Sequence, residues 1–231
     1  MENSLKTYQI ITAMIVFVVF PMLFYWADGS PRRAFYKESI SAITFLAFFS
    51  TMLQFLLSRA NRSSIRVFKA SRIFKCHQIL GYLAGAILLL HPLFVVLPRF
   101  FEPGISAGDA IKLILTSYDN KGVLLGIIAY IFLFFLVIQC FLRRIIPISY
   151  KTWRTIHGLV SILFIVTSPL HTIILSRHCS LLLNLWIIVV ASLVTSVLLK
   201  LYLVNLMEAI KCKKEKYLEE SSLQLPEELQ G

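Results

Sequence analysis

The sequence predicts an all-α fold, a polytopic membrane bundle of six transmembrane helices. Three observations predict it. The chain is 58% hydrophobic with a mean hydropathy of +0.77, too apolar for an ordinary soluble domain. Its apolar residues gather in six runs of the roughly 20 residues needed to cross hydrocarbon: Tyr8–Trp26, Ser39–Leu57, Cys76–Leu97, Gly122–Leu142, Thr155–Leu175 and Ser180–Val204, charge-free apart from Lys200. Finally, the net charge of +11 sits in alternate connections. That pattern orients a membrane protein and argues against a nucleic-acid partner.

In chain order, the first run follows the leader MENSLK, whose charges cancel, and no small-residue cleavage site follows it. It is expected to be a span and not a removed signal peptide. Arg32, Arg33 and Lys37 follow it. The connection after the second run is strongly basic, with Arg59, Arg62, Arg66, Lys69, Arg72 and Lys75. The segment from Pro98 to Lys121 carries only Arg99, Lys112 and Lys121. Arg143, Arg144, Lys151 and Arg154 separate runs four and five, and Arg177 alone marks the next turn. Lys211, Lys213, Lys214 and Lys216 follow the sixth run. The positive-inside rule then places both termini in the cytoplasm. Residues 1–207 read as the membrane domain and 208–231 as a solvated, disordered cytoplasmic tail.

Other chemistry is sparse. No CxxCH site for covalent haem and no glycine-rich nucleotide loop is present. On the expected topology Cys76, Cys140 and Cys212 lie at the cytoplasmic side and Cys179 outside, which argues against an internal disulfide.

The histidines carry the functional signal. The third run contains HQILGYLAGAILLLH, from His77 to His91, and the fifth HGLVSILFIVTSPLH, from His157 to His171; both spacings are fourteen residues. A helix rises about 1.5 Å and turns about 100° per residue, so each pair shares a face and is separated by about 21 Å. The third and fifth spans run in the same direction, which puts His77 level with His157 and His91 level with His171. Ionisable groups inside a membrane are costly and mark functional sites. Four imidazoles in two layers cannot form the tetrahedron zinc wants. A haem iron accepts one imidazole on each face, so two layers imply two stacked haems. His178, in the turn RHCS, reads as a surface residue. Gly81, Ala84 and Leu88 share the His77 face, with Gly85 nearby. Ser161, Phe164 and Ser168 share the His157 face. Phe164 is expected midway between the layers, with Ala84 opposite it. Pro92 and Pro169 flank the outer histidines, where they either redirect them by bending their helices or merely mark membrane-helix irregularities.

The motifs HQILGYLAGAILLLHPL and WRTIHGLVSILFIVTSPLH, together with six spans, resemble the ferric reductase-like transmembrane domain family. That family includes the membrane parts of NADPH oxidases and ferric-chelate reductases, and the haem-binding membrane subunit that feeds periplasmic methionine sulfoxide reductase in bacteria. The resemblance implies axial ligation of two haems b by His77, His91, His157 and His171. It implies electron transfer from a cytoplasmic donor to an outer acceptor. Arg72, Lys75, Lys151 and Arg154 inside, and Arg99 and Arg177 outside, are candidates to pair with haem propionates or to set topology alone. Full reductases of the family carry a C-terminal flavin and nicotinamide domain; here about 25 residues follow the last span. The resemblance therefore implies a separate donor: a flavoprotein reductase, a flavin bound at the cytoplasmic side, or a membrane quinol. The acceptor stays open among a ferric chelate, oxygen and a periplasmic enzyme. It further implies a bacterial inner-membrane location. Two other readings stay open, a quinol-linked cytochrome b subunit and a haem-free histidine transporter or proton relay.

Overall fold

The computed structural model describes residues 2–58, 61–96, 104, 106–143, 145–178 and 180–223. Among these the regular structure is entirely helical: α1 (Glu2–Met14), a π-helical segment (Ile15–Val19), α2 (Phe20–Trp26), α3 (Phe35–Leu56), α4 (Arg62–Phe68), α5 (Ala70–Val96), α6 (Ala107–Thr116), α7 (Lys121–Leu142), α8 (Tyr150–Leu175) and α9 (Leu181–Leu223). Six stretches are long and apolar enough to span a membrane: Asn3–Trp26, Phe35–Leu56, Ala70–Val96, Lys121–Leu142, Tyr150–Leu175 and Leu181–Val204. Each overlaps its sequence-predicted run. The expected end of the third run, Leu97, lies outside the described residues, as do Arg59, Arg99, Arg144 and Cys179. The chain is an integral membrane protein. Below, the side carrying α4 and the α7–α8 connection is called the basic side, and the opposite one the far side.

Side-chain oxygens start several helices by accepting the first free N–H groups. Asn61 accepts from Ser64, Ser106 from Asp109, Asn120 from Gly122 and Val123, and Ser149 from Thr152. The first span contains Pro21, which has no N–H to donate. The chain winds there into the π register, in which Phe20 N–H bonds to the Ile15 carbonyl. The next carbonyl in that register, Val16, would need the missing proton of Pro21. It accepts instead from the indole Nε1–H of Trp186 on α9, at 3.1 Å. Inside hydrocarbon a backbone acceptor without a partner costs several kcal/mol, so this bond ties the first span to the last.

The spans form a ring. α3 packs on α5, α5 on α7, α7 on α8, α8 on α9 and α9 on α3, with the first span outside against α3 and α9. The two histidine-bearing helices, α5 and α8, do not pack closely on one another; α7 bridges them. One apolar core joins the first, second and sixth spans through Phe17, Phe49, Met52, Leu183, Ile187 and Val190. A smaller one joins α7 and α8 through Ala129, Leu133 and Phe164. Large apolar side chains such as Leu83, Leu93, Ile131, Leu163 and Leu193 point outward and are exposed, as lipid contact permits.

Two findings depart from the sequence reading. α9 does not end at the expected boundary of the tail but runs on to Leu223; residues 224–231 lie outside the described residues. His178 is not a surface residue: it is 2% exposed. Gly29, at φ +75°, turns the loop after α2 so that Asp28 Oδ1 accepts from Ser30 N–H. The loop then folds over the α8–α9 turn. His178 Nδ1 lies 2.7 Å from Asp28 Oδ2, and Nε2 lies 3.3 Å from Glu38 Oε2 and 3.5 Å from Arg33 Nη2. Tyr25 donates to Glu38 at 2.9 Å and lays its ring against the imidazole at 4.1 Å. A polar residue in a short connection looks exposed in sequence; here the loop and the start of α3, both distant in sequence, supply the acid partners Asp28 and Glu38 that bury it.

Replacing His178 with Ala leaves Asp28 its hydrogen bond from Ser30 and Glu38 those from Tyr25 and Arg33. This should cost about 2 kcal/mol, as for buried acceptors that lose a hydrogen-bond partner. The measurement is the thermal midpoint of the purified protein in lipid nanodiscs; an unchanged midpoint would mean that the network contributes nothing. Burial works against the Asp28 charge, but hydrogen bonds from Ser30 and His178 outweigh it and hold the carboxyl below its usual range. Its share of stability should therefore be complete above the ordinary value of 3.8 and fade as pH falls through the lower, folded value.

Candidate functional site

The separation of α5 from α8 leaves a cavity of about 1280 Å³ on the basic side. Ordinary small-molecule sites occupy roughly 300–1,000 Å³, so this one has room for a large ligand. His77 and His157 both line it, one from each side, and Gly81, Gly85 and Gly158 line it without side chains. Its deep end reaches Phe164 and its mouth holds Arg143, Lys151 and Arg154.

The rings of His77 and His157 stand 6.4 Å apart between centroids, with planes crossed at 64°. A metal–imidazole bond is about 2 Å, so two imidazoles on opposite faces of one iron have centroids a little over 6 Å apart. The observed separation fits that arrangement. Among the described residues no group of three or more His, Cys, Asp or Glu could hold a metal. A macrocyclic iron supplies its own four equatorial ligands and needs only the two axial ones.

Three of the four histidines are anchored through Nδ1. His77 Nδ1 lies 3.2 Å from the Gln54 carbonyl of α3. His171 Nδ1 lies 2.9 Å from the Gly122 carbonyl of α7. His157 Nδ1 lies 4.0 Å from Cys140 Sγ. An Nδ1–H donated to a carbonyl leaves the Nε2 lone pair free, the second-shell arrangement of metal-ligating histidines.

The far-side pair is arranged differently. His91 and His171 lie within electrostatic reach of each other. The His171 ring rests directly on Gly126 of α7, where an added Cβ would lie 2.5 Å from Cε1 and Nδ1. One turn earlier, Ser168 is buried with its hydroxyl unpartnered, so polar capacity beside His171 is unmet by the protein.

Of the other residues singled out from sequence, Arg154 lines the cavity, whereas Arg72 and Lys75 are exposed on α5 and do not. Arg177 is exposed and bonds to the Pro31 carbonyl. Phe164, 5% exposed, is seated between the layers against Ala129 and Leu133. Ala84 does not face it: Ala84 turns into an apolar groove between α3 and α5, beside Ala47 and Ser50. Gly85 takes the place facing α7, with Val137 close by. Ala84 and Gly85 differ by about 100° of helix rotation, and spacing from His77 alone does not decide which of them meets α3. Gln54, Gly122, Gly126 and Trp153 were missed. Only Trp153, four residues before His157, carried a local signal.

Gly126→Ala should favour helix α7 by about 1 kcal/mol in intrinsic propensity yet displace the His171 ring. Histidine-labelled NMR of the variant in lipid nanodiscs should show shifted His171 ring signals, with those of His77 and His157 unchanged. Unshifted His171 signals would mean that the ring is not seated on Gly126.

No solved structure matches the chain. A protein of Archaeoglobus fulgidus, described as uncharacterized, is 37% identical over 139 residues, covering 60% of this chain and 75% of its own length. The family described as "Ferric reductase like transmembrane component" matches residues 43–168. The match takes in His77, His91 and His157 and stops just short of His171. Domains of this family generally bind haem and typically work with a cytoplasmic flavin reductase partner in membrane electron transfer. With more than half its length matched and six helices able to span a membrane, the chain belongs to the ferric reductase-like transmembrane family.

Proposed function

We propose that the chain is a transmembrane di-haem b electron-transfer protein, passing electrons from a cytoplasmic-side donor to an acceptor on the outer side. The observation that carries this reading is the cavity between α5 and α8, with His77 and His157 facing across it at a separation suited to one iron. Haem iron, when bound, supplies the one-electron chemistry. The chain's own residues supply the rest. His77 and His157 would hold the basic-side haem, and His91 and His171 the far-side one. Gln54 and Gly122 accept imidazole protons and direct Nε2 inward. Arg143, Lys151 and Arg154 place positive charge at the mouth, where propionates or an anionic donor would be neutralised. Phe164 and its apolar neighbours keep water out of the space between the layers.

In this reading the basic side is cytoplasmic, both termini lie there, and the membrane is the bacterial inner membrane. The donor is a separate flavoprotein reductase, a flavin bound at the basic side, or a quinol. The outer acceptor is a ferric chelate, oxygen or a periplasmic enzyme.

The purified protein should carry close to two haems b per chain by pyridine haemochrome; a colourless protein would favour the haem-free transporter or relay. The histidines should act by layer. His77→Ala or His157→Ala should remove one haem, His91→Ala or His171→Ala the other, and His178→Ala neither. Loss of haem from the His178 variant without loss from the His171 variant would overturn the ligand assignment. NADPH should leave the haems of the purified, flavin-free chain oxidised until a flavoprotein or quinol is added.

A further inference from the structure

The imidazoles of the basic-side pair are held against rotation. Trp153, one turn before His157 on α8, lays its indole over that ring, with centroids 5.1 Å apart and planes 22° from parallel. The indole is itself fixed. Its Nε1–H donates to the Gln139 carbonyl of α7 at 3.2 Å. Tyr150 stacks on it at 6.0 Å and 22°. The Arg143 guanidinium lies over both rings, 5.0 Å from Tyr150 and 5.1 Å from Trp153. For His157 to turn about its Cβ–Cγ bond, a ring held by three other groups would have to move. His77 is tied independently, through Nδ1 to the Gln54 carbonyl. The crossing angle of 64° is therefore set by protein contacts and not by free rotation.

The angle has an electronic consequence. An axial imidazole interacts with the iron d orbital selected by its ring plane. Two parallel rings act on the same orbital and split a nearly degenerate pair; two crossed rings act on one each and leave the pair close in energy. Groups outside the ligand shell thus tune the iron by orienting its ligands.

We propose that Trp153 is a positioning residue that holds His157 crossed to His77 and thereby sets the electronic state of the iron between them. The inference rests on the haem reading above and goes beyond it, since ligation alone requires no particular angle.

The test uses the full-length, haem-loaded chain in the His171→Ala background, so that only the basic-side haem remains. Low-temperature EPR of the ferric protein should give a strongly anisotropic low-spin signal. Its largest g value should lie well above that of a reference iron porphyrin with two parallel imidazoles. Trp153→Met, which keeps bulk but removes the flat face, should shift that g value toward the reference. Trp153→Phe should restore the parent signal. A Trp153→Met protein that retains haem with an unshifted spectrum would overturn the proposal, as would a parent signal resembling the reference. If the Met variant loses its haem, Trp153→Leu takes its place under the same criteria. A parent chain without any haem would refute the haem reading itself, a result visible before any EPR comparison is made.

Discussion

An imidazole inside hydrocarbon needs a partner for its N–H, and much of this bundle's architecture follows from meeting that need. Water is absent and an unpartnered polar group there is expensive. α5 and α8 carry the histidines, but the acceptors come from other helices, Gln54 on α3 and Gly122 on α7. Both neighbouring helices must therefore be in register with the ligand helices. The Asn120 cap fixes where α7 begins, and with it the height at which the Gly122 carbonyl meets His171. α7 earns its central place by contact with both ligand helices, which holds them apart as well as together.

The two layers meet the same need in different surroundings. At the basic side the imidazoles face an open cavity with cations at its mouth. At the far side the His171 ring is pressed onto a glycine of α7. Phe164 lies between them in a compact apolar cluster. The interior built this way is polar at the histidines and apolar between them.

The parts of this arrangement that depend on local pattern were legible in the sequence. Apolar run length gave the six spans to within a few residues, and the repeated fourteen-residue spacing put four histidines on two helix faces at matched depths. What was not legible depends on partners distant in the chain. His178 looked exposed because Asp28 and Glu38 lie about 150 residues away in sequence. Ala84 was expected opposite Phe164 and turns toward α3 instead, because helix rotation is set by α3 and α7, not by α5 itself. The continuation of α9 to Leu223 was hidden because its end is charged: apolar length marks where a span stops, not where a helix does. Trp153 was overlooked because an aromatic residue near a membrane interface is ordinary, and only its stacking on His157 sets it apart.

The bond from Trp186 to the Val16 carbonyl has a consequence for biosynthesis. Val16 is translated and inserted long before Trp186 exists, and the contacts of His178 with Asp28 and Glu38 obey the same order. The first span must therefore wait in the bilayer with a backbone acceptor unmet until the last one emerges. Docking of the first span against α9 is therefore a late, post-insertional event that joins the two ends of the chain only after the rest of the bundle has been laid down.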